Sequence, residues 1–149
     1  MNKNYTGVEK HFKYDPSNGK ITSKGKEVGW VEQGYIRVMY KGKMLSAHRV
    51  ALKILGIDIP DGYVIDHING VGTDNRRDNL RVVTQGENQR NRACHRNGQF
   101  PGVQKRGNRY RARIRLDQKT LKSLGTYSSP EEAYVVYLKA RKNYFGEGV

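Results

Sequence analysis

Cysteine is almost missing from this 149-residue chain: Cys94 stands alone. One thiol excludes an intrachain disulfide and any zinc cluster built from several cysteines. Long apolar runs are also missing, so no segment reads as a membrane span or as a membrane-surface helix. The opening stretch, MNKNYTGVEKHF, lacks the apolar centre of a secretory signal, and a cytoplasmic protein is expected. Acidic residues are scarce. Fourteen Asp and Glu face 28 Lys and Arg, a net charge of +14, which points to a polyanion and above all to nucleic acid. Hydrophobic residues make up 36%, too few for one large core, so one ordinary domain or two small ones are expected. Ten of the 14 aromatics are tyrosines, which pack while keeping a polar tip wet.

The first 47 residues read as short strands. YDPSNGKI carries a turn (Asp15, Pro16, Asn18, Gly19), and a meander follows, broken at Gly34 and at Lys41-Gly42-Lys43. AHRVALKILG, residues 47–56, places Val50, Ala51, Ile54 and Leu55 on one face of a helix ended by Gly56. YVIDHI (63–68) reads as a buried strand, NGVGTDNRRDN as an irregular loop, and LRVVT (80–84) as a second strand. A helix then starts near Thr84 or Gln85 and ends before Gly98.

The chemistry lies in Asp66-His67, in Asn79 twelve residues after the histidine, and in Asn88 nine residues later. Phosphodiester hydrolysis needs a base to take a proton from water, and imidazole titrates in the right range. It also needs a divalent cation against the charge that builds on phosphate and leaving oxygen. Hard cations prefer oxygen donors, which a carboxylate and a side-chain amide supply. Neighbouring strand residues face opposite ways, so Asp66 and His67 are expected where the strand ends and bends into the loop.

AHRVAL followed by VIDHINGVGTDNRRDNLRVVTQGENQRN resembles the HNH homing endonucleases of phages and introns, whose active site is the ββα-metal fold. The likeness runs over about residues 10–95. It implies that Asp66 and Asn88 bind one metal ion, magnesium or manganese, that His67 is the general base, and that Asn79 braces the loop and orients that base. His48 occupies a position members often share, for phosphate contact or for packing. Asn91, one turn beyond Asn88, is a further candidate, whereas His11 and His95 are expected on the surface. Arg76, Arg77, Arg81, Arg90, Arg92 and Arg96 flank the site and are expected to meet phosphates.

Past a linker at NGQFP, the run NRYRARIRLD alternates strictly. Tyr110, Ala112, Ile114 and Leu116 fall on one face, with Arg109, Arg111, Arg113 and Arg115 on the other. KTLKSLGTY is its partner strand. Ser129, Pro130 and Glu132 open a helix with an apolar stripe of Ala133, Val136, Tyr137, Ala140 and Tyr144, ended by Gly146. Like charges along one strand face repel, which favours a polyanionic partner, and a β-ribbon fits the major groove. Gly102-Val103, the strand from Tyr110 to Arg115, Leu124-Gly125-Thr126-Tyr127 and Pro130-Glu131-Glu132-Ala133 resemble the Apetala-two, or ethylene-response-factor, DNA-binding domain. The likeness implies DNA contacts from Arg106, Tyr110, Arg111, Arg113 and Arg115. Tyr110 stands where that domain usually has Trp, Arg113 where an acid is common, and Ser123 where another aromatic is frequent. Base preferences therefore do not transfer.

The expected fold is α+β: an HNH nuclease domain over residues 1–97, strand-rich at its start, then an Apetala-two-like sheet and helix over 98–149. The expected function is metal-dependent cleavage of double-stranded DNA, by a monomer or homodimer with no small-molecule cofactor and no membrane. The rival is a non-enzymatic, sequence-specific DNA-binding regulator. A third reading, RNA binding through stacked tyrosines, lacks a matching RNA motif.

Overall fold

A computed structural model of the chain describes residues 3–146, a mixture of α-helices and small antiparallel sheets. The chain divides into two compact units, residues 1–88 and 89–149. The sequence reading set the boundary at 97/98; here it falls inside a helix.

In the first unit a short helix α1 (Val8–His11) leads into a sheet of β1 (Lys13–Tyr14), β2 (Ile21–Ser23) and β3 (Lys26–Glu27). A second sheet follows from β4 (Trp30–Glu32), β5 (Tyr35–Tyr40) and β6 (Lys43–Ser46). Its two hairpins turn on Gln33-Gly34 and Lys41-Gly42, with positive φ at both positions of each pair. That geometry matches the right-handed strand twist, and this is what the glycines are for.

Helix α2 (Ala47–Ile54) packs under this sheet. Val8, Phe12, Ile21, Val38, Tyr40, Leu45, Ala47 and Val50 form one buried cluster, and Ala51, Leu52 and Leu80 a second. The periodicity placed Leu55 on the buried face, but it lies beyond the last helical residue and is exposed, while Leu52 is buried. Leu52 thus ties α2 to the next element.

That element is a two-stranded ladder of β7 (Tyr63–His67) and β8 (Leu80–Thr84), paired Tyr63↔Thr84 through His67↔Leu80. Helix α3 (Gln85–Asn97) follows directly. Its start is capped reciprocally: Thr84 N–H donates to Glu87 Oε2 at 2.9 Å, and Glu87 N–H to Thr84 Oγ1 at 3.3 Å. This is a capping box, and it brings Asn88 just inside the helix. The order strand, loop, strand, helix is the one read from the sequence.

The second unit contains β9 (Val103–Arg106), β10 (Arg109–Arg115) and β11 (Leu121–Tyr127) in the order β11-β10-β9, with helix α4 (Pro130–Phe145) packed on the sheet. Ala112 and Ile114 are buried. Ser129 caps α4 by accepting from Glu132 N–H at 3.2 Å, with Pro130 in the first turn. Glu132 turns back to Ser128 instead of Ser129, at 3.0 Å to its hydroxyl and 3.3 Å to its N–H. His95 was expected on the surface; its ring meets Phe100 edge-on at 4.8 Å, and Phe100 lies 4.8 Å from Tyr134.

Candidate functional site

The loop between β7 and β8 is irregular because its polar side chains bond to one another instead of forming a ladder. Asn79 is at its centre and is buried. Its Oδ1 accepts from Asn69 N–H at 2.9 Å, and its Nδ2 donates to Asn69 Oδ1 at 2.9 Å and to the Asp74 carbonyl at 2.8 Å. Arg76 holds the Asp74 carboxyl below its ordinary range, chiefly by its side-chain hydrogen bonds at 2.8 and 2.7 Å. The loop is thereby closed on itself around one amide.

Asp66 and His67 both lie inside the ladder, opposite Arg81 and Leu80 respectively. The strand ends there, as expected: β7 stops at His67 and the turn begins at Ile68, whose N–H donates to the Asn79 carbonyl at 2.9 Å, while within the ladder successive residues face opposite ways. The two side chains accordingly have different neighbours. Asp66 is 3% exposed, and its Oδ2 accepts from both Nε and Nη2 of Arg81 at 2.8 Å. Arg81, expected to meet phosphate, lies against the carboxylate. Two further flanking arginines are also bonded internally: Arg76 to Asp74, and Arg77, which donates to the Leu80 carbonyl at 2.8 Å.

His67 is 7% exposed and sits among rings. His48, from α2, meets it edge-on at 5.2 Å, and Tyr35, from β5, lies 5.9 Å from each imidazole. His48 is pushed down to about 3, first by burial, then by the nearby charges of His67, Arg49 and Arg37. It is therefore neutral at physiological pH, and its Nδ1 has no partner among the described residues.

On the other ring edge, His67 Nε2 is 2.9 Å from the side-chain oxygen of Asn75. Asn75 was not singled out from the sequence. Its backbone is clamped by the first sheet: Tyr14 O–H donates to the Asn75 carbonyl at 2.6 Å, and Arg77 N–H to the Pro16 carbonyl at 2.9 Å. Gly19, at φ 77°, lets the two segments touch, since a Cβ there would come within 2.5 Å of the Asn75 carbonyl carbon. Burial raises the Tyr14 hydroxyl to about 12, so it remains a donor. The one available signal was the Asn two residues before Arg77, in a loop already crowded with Asn and Asp.

Asn88 is half-buried on α3, and Asn91 is buried. Among the described residues no three or more His, Cys, Asp or Glu side chains are grouped to hold a metal ion. A cation here would rest on a carboxylate and a side-chain amide.

In the second unit, register sets the faces. Arg106 pairs with Arg109, Gln104 with Arg111, Ser123 with Arg113 and Leu121 with Arg115, so these side chains share one surface. Tyr110 shares the other face with Ala112 and Ile114, and so does not lie among the arginines. A β-bulge between Ala112 and Arg113 shifts the register against β11.

Residues 46–90 match the family model described as HNH endonuclease. That span contains both strands of the β7–β8 ladder, the loop and the start of α3, so the part of the chain that is similar to HNH endonucleases is the part that carries Asp66, His67, Asn79 and Asn88. A solved structure, that of the HNH homing endonuclease I-HmuI in DNA binding and cleavage, resembles the chain at 22% identity and a TM-score of 0.47, covering 98% of this chain and 84% of that one. So slight a likeness carries no inference. No curated protein matches the chain.

Proposed function

We propose that this protein is a metal-dependent endonuclease that hydrolyses phosphodiester bonds of duplex DNA, leaving 5′-phosphate and 3′-hydroxyl ends. The observation that carries the reading is His67: a buried imidazole, held at Nε2, one residue after a buried carboxylate in the segment that matches the HNH model. His67 takes the proton from the attacking water, worth about 10²–10⁴-fold in rate. Asn79 keeps the loop closed, so that base and backbone stay in place as substrate arrives.

Asp66 and Asn88 would hold one divalent ion, magnesium or manganese. The donor set suits it: two hard oxygens, few enough to leave room for phosphate and water. Asp66 also already accepts a cation, the Arg81 guanidinium. When bound, the metal would stabilise charge on the phosphate and the leaving oxygen. Arg77 and Arg81 would reach DNA only by exchanging their present bonds, whereas His48 lies against the ring of His67.

The second unit supplies affinity for the target. Its surface of Arg106, Arg111, Arg113 and Arg115 suits the major groove, where arginine reads guanine best, in the manner of the Apetala-two domain that its sequence resembles. One copy carries one site and nicks one strand; two copies are needed for a double-strand break.

Supercoiled plasmid tests the assignment. With magnesium or manganese the wild type is expected to produce nicked circles, and His67→Ala and Asp66→Ala to leave the plasmid supercoiled while still binding it. Equal cutting by all three proteins, or no cutting in any metal, refutes the site.

A further inference from the structure

We infer that Arg81 is an exchangeable partner of Asp66: its guanidinium competes with a divalent cation for that carboxylate and, once displaced, takes a phosphate of the DNA backbone. The inference rests on the reading of Asp66 as a metal ligand and adds what couples the ion to the DNA.

The ladder sets the contact. Asp66 and Arg81 are directly opposite in the β7–β8 register, so their side chains project from the same face. Nε and Nη2 of Arg81 both reach Oδ2 of Asp66 at 2.8 Å. Arginine grips a carboxylate most firmly when two N–H groups take one oxygen each. Arg76 holds Asp74 in that way, with Nε on Oδ1 at 2.8 Å and Nη2 on Oδ2 at 2.7 Å. Arg81 instead brings both bonds to a single oxygen. The Asp66 side chain is 3% exposed and that of Arg81 26%, so the arginine is the member of the pair that reaches solvent.

Burial makes the exchange one for one. A carboxylate this deep needs a cation beside it, and losing the guanidinium with nothing in its place leaves a buried charge unbalanced. A divalent ion would supply that balance. Two cations on one carboxylate repel strongly where water screens them poorly, so Arg81 withdraws as the ion binds. The displaced guanidinium needs an anion, and its planar fork matches phosphate oxygens. The sequence placed Arg81 on phosphate and the folded chain places it on Asp66; these are two stations of one side chain. By linkage, the ion raises DNA affinity and DNA raises ion affinity by the same factor.

The test uses the full chain carrying His67→Gln, which keeps the duplex intact, and manganese(II), whose free ion is counted by electron paramagnetic resonance. Affinity is measured with and without saturating duplex, in this parent and after adding Arg81→Met. Without DNA, Arg81→Met is expected to bind manganese about 10-fold more tightly, because the guanidinium no longer competes for Asp66. Adding DNA is expected to tighten manganese binding by the parent, and to do so about 10-fold less in the variant. Equal or weaker manganese binding by Arg81→Met without DNA, or an equal gain on adding DNA, overturns the inference. If Arg81→Met does not fold, ¹H–¹⁵N spectra of the arginine Nε groups decide on the parent. The Arg81 signal, assigned with Arg81→Lys, is expected to shift on adding magnesium; a signal unmoved at saturating magnesium overturns the inference. Failure of the metal reading looks different: Asp66→Asn would then bind manganese as the parent does.

Discussion

His48→Phe tests the electrostatics of the ring cluster directly. The ring contacts Tyr35 and His67, carries an Nδ1 with no partner among the described residues, and is faced by Arg37 from β5, His67 from β7 and Arg49 of its own helix. Its value falls from 6.5 to about 3 in the folded chain, first because of burial. The unfolded chain therefore binds this proton more readily. The contribution is complete above pH 6.5 and is lost as pH falls through that value toward 3. Each pH unit in that window costs about 1.4 kcal/mol, so moving from pH 7.5 to 5 removes about 2 kcal/mol, an upper figure because the ring is only partly buried. Phenylalanine fills the same space without a titrating nitrogen, and at pH 7.5 its stability is expected within about 1 kcal/mol of wild type. Urea unfolding of both proteins at pH 7.5, 6.5, 5.75 and 5 measures the difference. All other ionisable groups are common to the pair, so the extra slope belongs to His48. Parallel pH curves, or a steeper one for the variant, would refute the reasoning.

Three further outcomes follow from the geometry. Asn79→Ala removes three bonds from a buried amide and is expected to destabilise the protein by about 3 kcal/mol in urea unfolding. Arg81→Met leaves the Asp66 carboxylate buried and unbalanced by its guanidinium, and is expected to cost about 3 kcal/mol; Asp66→Leu with Arg81→Met recovers much of this in thermal unfolding. Arg113→Ala is expected to weaken duplex binding and to reduce the salt slope by about one, measured by fluorescence anisotropy, with cleavage at saturating protein unchanged.

The elements themselves were readable along the chain because each depends on local rules. Alternation marked β10, and the ladder strands β7 and β8 showed as apolar runs. Thr84 or Gln85, and Ser129 with Pro130, marked helix starts, since capping is settled within four residues. The Asp-His and Asn spacing located the segment that matches the HNH endonuclease model for a similar reason: a loop between two paired strands keeps its residues close whatever else the chain does. Leu55 was misplaced because periodicity says nothing about where a helix stops.

Contacts between distant segments had to come from the folded chain. Nothing in the order of residues places Tyr14 and Gly19 behind Asn75, 61 residues from Tyr14 in the case of the hydroxyl bond, or brings His48 and Tyr35 against His67. Nor does composition distinguish an arginine facing a phosphate from Arg81, whose guanidinium lies on Asp66. A side chain's charge and hydrogen-bonding capacity are written in its identity, but its partner is chosen by packing. That choice settled which asparagine touches the imidazole and why His48 is neutral.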